Sequence, residues 1–213
     1  MNKIAIIGIL LFLGLHQTIF PSVDKTTQDS MSENTESKPD TIRAKNFVYT
    51  FKIHQSIEPS AFRLTKKAFK QAKEKNADYI IVDLDTYGGL VNIADSIRSA
   101  FLDSKIPVIV FIRNNAASAG ALISIAADSI YMKKGSSIGA ASVVNQEGKI
   151  MPEKYQSYMR STMRATAEAK GKKIVTKNGD TTEIWRRNPK IAEAMVDPRI
   201  TIKGISDSTE IVT

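Results

Sequence analysis

The chain has 213 residues, a formal charge of +8 and 42% apolar side chains, enough for one ordinary core plus tails. It has no cysteine, which excludes thiol chemistry, disulfides and thiolate metal sites together. With only His16 and His54, a multi-histidine metal site is not expected. The basic residues are dispersed and aromatics are few, so nucleic acid is not an expected partner.

In chain order, Lys3 precedes an apolar run from Ile4 to Leu15. The run is short for a membrane span and fits a signal segment, so residues 1–23 are read as a signal peptide or N-terminal anchor. Residues 24–43 are polar and read as a disordered linker. A folded domain is expected over 44–213. "NFVYTFKI" (46–53) reads as a strand and 58–77 as a helix whose inner side carries Phe62, Leu64, Ala68, Phe69 and Ala72. "DYIIVDLD" (78–85) is a strand, 91–103 a helix through Ile93, Ile97 and Phe101, and "IPVIVFIR" (106–113) a strand. A helix over 118–127 and a short strand over 129–133 follow. Apolar strands alternating with helices predict an α/β fold with a mostly parallel sheet covered by helices. A long helix over 152–171 begins at a proline and ends at a glycine, with Tyr155, Tyr158, Met159, Thr162, Met163, Thr166 and Ala167 as its apolar stripe. Residues 172–187 read as a hairpin turning at Asn178-Gly179, and 190–196 as a short helix.

Three stretches carry chemistry. "DLDTYGGLV" (83–91) ends a strand in two glycines, which either make a plain turn or leave backbone amides free for a ligand. "AASAG" (116–120) sets Ser118 at the carboxyl edge of the sheet and the start of a helix. There it is either a helix cap or a nucleophile, with the Ala119 amide available to an oxyanion. Lys154, in the first turn of the long helix, is either a solvated lysine or the base that a serine hydroxyl needs. An ordinary lysine is neutral about one part in a thousand near pH 7.5. A helix N-terminus and an apolar stripe beside Tyr158 both favour the neutral amine.

"LDTYGG", "AASAGALI", "SSIGAA" and "MPEKYQSYMRSTMRATAEAKG", in this order, resemble the NfeD family of stomatin operon partner proteins. "IAEAMVDP" (191–198) belongs to the same likeness, which covers residues 45–213. The resemblance implies a Clp protease/crotonase-like fold of repeated β-β-α units and a membrane-associated serine protease with a Ser-Lys dyad. Ser118 matches its nucleophile and Lys154 its base, with the Gly89 and Ala119 amides as oxyanion hole. An extended peptide is expected beside Gly88–Val91, with Gly88, Leu90, Ile138 and Gly139 as substrate-binding residues. The resemblance calls for no cofactor and no metal. It implies a protein substrate, apolar segments of a stomatin-like membrane protein, and a homo-oligomer. It also implies export to the periplasmic side of the inner membrane or another membrane-associated extracytoplasmic place. The family's membrane-spanning region and small C-terminal β-barrel are expected beyond Thr213. A non-catalytic scaffold assembling with a stomatin- or prohibitin-type membrane protein is the alternative. An acyl-CoA enzyme of the crotonase type is a third reading. Two departures stand out: Tyr87 where the family has proline, and the extra residues 172–188.

Overall fold

The computed structural model describes residues 46–202, which fall within the unit Ala44–Thr213. The expected signal or anchor segment, the linker and the strand-like stretch from residue 203 onward lie outside the described residues. The first seven elements alternate strictly: β1 (Val48–Ile53), α1 (Pro59–Glu74), β2 (Tyr79–Thr86), α2 (Val91–Leu102), β3 (Val108–Ala117), α3 (Ala119–Ile125) and β4 (Ser129–Met132). The four strands pair in parallel in the order β1-β2-β3-β4. A short β5 (Ser137–Gly139) pairs in parallel with the far end of β3. Then come α4 (Glu153–Ala169), an antiparallel pair β6 (Lys172–Lys177) and β7 (Asp180–Trp185), and α5 (Pro189–Ala194). This is the α/β, mostly parallel sheet that the sequence implies, with β4-β5-α4 as its β-β-α unit.

The two faces of the sheet differ. Ile53, Ile80, Val82, Leu84, Val108, Val110 and Ile112 are fully buried, facing α1, α2 and α3. α1 offers this face mainly small residues (Ala61, Ala68 and Ala72), which let the helix approach closely. Thr65 joins them because its hydroxyl donates to the Ala61 carbonyl at 2.9 Å. Phe69 fills the shoulder, stacked on Phe101 at 5.5 Å and edge-on to Phe51 at 6.3 Å. Leu64, expected on the inner side, is instead 37% exposed: the stripe centres on the alanines and Leu64 lies on its margin. On the second face Ile81, Ile109 and Phe111 are only half-buried, and Val48, Tyr79 and Tyr131 are exposed.

β3 runs four residues further than its apolar run. Asn114 and Asn115, beyond the apolar run, are held extended by one carboxylate. Asp85 accepts from Asn114 Nδ2 at 2.5 Å and from the Asn115 amide at 3.1 Å. The register between β2 and β3 shifts at this point, between Leu84 and Thr86. α4 starts one residue later than expected, since Pro152 flanks it rather than occupying its first turn. Its buried stripe is Gln156, Met159, Met163, Thr166 and Ala167, whereas Tyr155 and Tyr158 are exposed. The β6–β7 hairpin forms as expected, with Asn178 and Gly179 both at positive φ.

α5 is capped by Asn188, whose Oδ1 accepts from the Lys190 amide at 2.9 Å, with Pro189 at the first helical position. It is tied to α4 by carboxylate–guanidinium pairs. Arg164 reaches Glu193 at 2.6 Å, and Arg160 joins Asp197 at 3.1 Å while also pairing with Glu153. Arg199 closes back on Asp197 through its Nε at 2.9 Å. Arg199, and then Arg160, hold the Asp197 carboxyl well below its ordinary value, at about 2. A depressed carboxyl adds stability that is present above its ordinary value of 3.8 and disappears as pH falls toward the folded value. Thermal melts should therefore show stability declining between about pH 4 and pH 2. Asp197→Asn should melt lower at neutral pH and lose part of that acid dependence.

Candidate active site

Ser118 stands between β3 and α3 with φ 53° and ψ −115°, a conformation rare for a non-glycine residue. It occupies the N-cap position of α3, yet its side chain makes no cap hydrogen bond. The hydroxyl has no hydrogen-bond partner among the described residues, so the capping alternative fails. Three contacts hold the serine in place. Its amide donates to the Gly139 carbonyl at 2.8 Å, and its carbonyl accepts from the Ala121 amide at 2.9 Å. Gly88 closes over it, so near that a Cβ there would lie 2.8 Å from Ser118 Cβ. The start of α3 is itself pressed onto the end of β2: a Cβ on Gly120 would sit 2.7 Å from Thr86 Cγ2.

The Gly-Gly turn is pinned by a residue that the sequence did not single out. Ile57, fully buried, donates its amide to the Gly88 carbonyl at 2.8 Å and accepts from the Leu90 amide at 2.8 Å. Thr86 Oγ1 accepts from the Gly88 amide at 3.1 Å. These bonds leave the Gly89 amide, between the two bridging groups, without a partner among the described residues. The Ala119 amide at the first position of α3 is likewise without one. Gly89, Ser118 and Ala119 line one small cavity together with Val91, Ala94, Leu122 and Met159 and the segment Ala141–Val144. Two uncommitted N–H groups beside an uncommitted hydroxyl can polarise a carbonyl and hold the anion formed by attack on it.

Segment 141–144 is the opposite wall, and the "IAEAMVDP" stretch holds it. The Ala141 amide donates to the Met195 carbonyl at 2.7 Å, and the Ser142 hydroxyl to the Val196 carbonyl at 2.6 Å. Gln156 fixes its other end. Its amide nitrogen donates to the carbonyls of Val143 at 2.7 Å and Met151 at 3.0 Å, and its oxygen accepts from the Val143 amide at 2.9 Å. The sequence carried one signal of this role, a glutamine on an otherwise apolar stripe.

Of the expected site residues, Gly88, Gly89, Ser118 and Ala119 come together. Leu90 is close by in the chain and 51% exposed. Ile138 and Gly139 lie on β5, where Ile138 is half-buried and packed on the core. The Gly139 carbonyl accepts from the Ser118 amide, so β5 lies directly beside Ser118. Lys154 lines an adjoining open groove of about 1130 Å³, with Val91, Val143, Val144, Tyr155, Tyr158 and Met159 among its neighbours. Its ammonium lies 5.9 Å from the Tyr155 ring and is not hydrogen-bonded to Ser118. It is exposed, so the apolar shielding expected from Tyr158 is absent: that tyrosine is 62% exposed and turned outward.

His54 is engaged elsewhere, with Nε2 3.0 Å from Asp83 Oδ1. Burial pushes the Asp83 carboxyl up, but hydrogen bonds from Arg113 and His54 outweigh this and hold it below its ordinary value.

Gly89 is the sharpest steric test of this geometry. At φ 153° a Cβ would fall 2.4 Å from the Ile57 carbonyl oxygen and 2.6 Å from its nitrogen, and backbone there cannot move aside. Gly89→Ala is expected to break the Ile57 bridge and to slow labelling of Ser118 by a serine-reactive phosphonate at least tenfold. Far-UV circular dichroism should stay near wild type. Labelling at the wild-type rate would show that the Gly89 amide does not assist attack.

The family description "NfeD1b, N-terminal domain" matches residues 47–213. Membrane protein NfeD1b of Bacillus subtilis (strain 168) is 34% identical over 161 residues, which is 76% of this chain and 33% of the relative. Membrane-bound protease PH1510 of Pyrococcus horikoshii is 33% identical over 139 residues, 62% of this chain and 32% of the relative. The chain thus spans about a third of the length of the curated relatives it matches. A solved structure of the 1510-N membrane-bound stomatin-specific protease, as a serine-to-alanine mutant, superposes with a TM-score of 0.63 at 29% identity. The match covers 73% of this chain and 72% of that one. A lysine-to-alanine mutant of the same protease, in complex with a substrate peptide, gives 0.62 at 30% identity, covering 73% and 68%. With the family description spanning the sheet, the Gly-Gly turn, Ser118 and the α5 wall alike, the chain belongs to the NfeD family, in the part described as the NfeD1b N-terminal domain.

Proposed function

We propose that this domain is a serine endopeptidase in which Ser118 is the nucleophile and Lys154 the general base. The observation that carries the reading is the uncommitted Ser118 hydroxyl, held at positive φ beside the unpartnered amides of Gly89 and Ala119. The 1510-N relative, a protease solved with a serine and a lysine replaced, supports the same pairing. A peptide lies extended along Gly88–Val91, where main-chain bonds add it as a strand. Ser118 Oγ attacks the scissile carbonyl carbon as Lys154 Nζ takes the hydroxyl proton, and the two amides hold the oxyanion. The C–N bond breaks as Lys154 returns the proton to the leaving amine. Water, deprotonated by Lys154, then hydrolyses the ester.

Lys154 is exposed in the free chain, so the substrate is assigned a part in the chemistry. Apolar side chains filling the groove would exclude water from around Lys154 and Ser118. That groove, bordered by valines, methionines and tyrosines, suits apolar segments. With a stomatin-specific relative in view, the substrate class is the apolar segment of a stomatin-like membrane protein. Both curated relatives are named as membrane proteins or membrane-bound. No helix among the described residues is long and apolar enough to cross a membrane. The membrane association proposed for this chain thus does not rest on a spanning helix among the described residues, and it is extracytoplasmic if residues 1–23 act as a signal.

The second reading, a scaffold without catalysis, draws on the same exposure of Lys154. Peptide cleavage by the wild type and four variants separates the two. Ser118→Ala should lose on the order of 10³ or more in rate with its fold intact. Lys154→Ala and Lys154→Arg should both be inactive, since a guanidinium keeps its proton. His54→Ala should retain most activity. An active Lys154→Arg would remove Lys154 as base, and an active Ser118→Ala would remove the dyad altogether.

Self-association is part of the proposal. A parallel sheet is ordinarily covered on both faces, and here Val48, Tyr79 and Tyr131 stand exposed on the second. Light scattering at tens of micromolar should give at least a dimer, and a monomeric mass would count against it.

A further inference from the structure

The β6–β7 hairpin stands apart from the reading above. All twelve of its strand residues are exposed, so it packs neither face on the body of the domain. A lone two-stranded hairpin is marginal in water, and one that leaves Ile184 41% and Val175 36% exposed on one face, with Ile174 72% exposed on the other, lacks a partner. The register sorts its side chains into two faces. One is largely self-satisfied. Lys172 pairs with Glu183 at 2.8 Å and lies 5.0 Å from the Trp185 ring, and the Thr176 and Thr181 hydroxyls meet at 3.4 Å. On this side Arg187 turns back to the Asp128 carbonyl. The other face carries Lys173, Val175 and Lys177 on β6, with Thr182, Ile184 and then Arg186 along β7. None of its three cations has an ion pair among the described residues. The one carboxylate on this side is Asp180, at the tip opposite Lys177.

We infer that this second face is a docking surface for an anionic lipid bilayer. Val175 and Ile184 enter the interface shallowly, while Lys173, Lys177 and Arg186 meet the headgroup phosphates. Charge complementarity favours a lipid surface over a second copy: a two-fold contact through this face would set six cations against two carboxylates. The naming of both curated relatives as membrane proteins or membrane-bound puts such a surface within reach. Two apolar residues amid three cations make a weak contact alone and a useful one for a domain already tethered near a bilayer. The hairpin would then fix the orientation of the domain over the membrane.

The experiment needs a reporter on this face, because residues 1–23 could bind vesicles by themselves. The chain has a single tryptophan. Trp185→Phe with Val175→Trp therefore moves the only indole to the proposed contact. The full chain is mixed with phosphatidylcholine vesicles with and without about one-third phosphatidylglycerol. We expect a blue-shifted emission, quenched by brominated acyl chains, with the anionic vesicles only. It should be abolished near 0.5 M salt, where the Debye length drops to only a few ångströms. In the Val175→Trp reporter chain, Lys173→Glu, Lys177→Glu and Arg186→Glu combined should raise the anionic-lipid concentration that gives the half-maximal blue shift on the order of a hundredfold or more, given roughly fivefold per cation. Peptide cleavage in solution should stay unchanged. Three results would each overturn the inference: an equal blue shift with uncharged vesicles, a blue shift from raising protein concentration without vesicles, or undiminished binding by the triple variant. The second of these would assign the face to a second copy instead.

Discussion

Ser118 is held at a positive φ that costs a non-glycine residue about 1–3 kcal/mol, and much of the surrounding structure serves to hold it there. The Gly139 carbonyl accepts its amide, so β5 must lie beside the last residues of β3. Gly88 must have no side chain, since any Cβ would collide with the serine. α3 must begin at Ala119, because the same backbone reversal that turns the hydroxyl outward also starts the helix. The Asp85 carboxylate keeps Asn114 and Asn115 extended and so carries β3 to that point. Each of these constraints is local and weak alone. Together they over-determine one dihedral pair, which is how a strained residue persists in a folded protein.

The two sides of the site are built by different means. The Gly88–Leu90 side is fixed by backbone bonds to Ile57, a residue with no chemistry of its own. The 141–144 side is fixed by the Met195 and Val196 carbonyls and by the buried amide of Gln156. Lys154, two residues before Gln156 on the same helix, is carried by a well-anchored element while its own side chain stays exposed. A proposed base of this kind is positioned by its helix and activated only by what fills the groove.

The parallel sheet, the Gly-Gly turn, the serine at a strand–helix junction and the hairpin were legible because each rests on short-range pattern. Apolar runs, glycine pairs and an Asn-Gly turn act within a few residues. What the sequence did not disclose depends on partners far along the chain. β5 is three residues long and exists because β3 overruns its apolar stretch. Leu64 falls outside the core because alanines, not large side chains, set the face that meets the sheet. Tyr155 and Tyr158 share the helical period of the true stripe but lie toward its open side, and periodicity alone does not say where a neighbouring element ends. Ile57 acts through backbone bonds to residues 31 and 33 positions on, and Gln156 through side-chain bonds reaching 5 and 13 positions back, which no apolar periodicity encodes.

Sequential strand order gives the site a timetable during synthesis. β1, β2, β3 and β4 are neighbours in the order in which a ribosome releases them, so each finds its template already formed. Ser118 can thus reach its place beside Gly88 early. The wall across from it waits for Met195 and Val196, close to the last described residue. A nascent chain carries its serine without a second wall until that stretch has emerged. The two walls of the cavity at Ser118 are thereby completed at different times, the second only once most of the domain has been made.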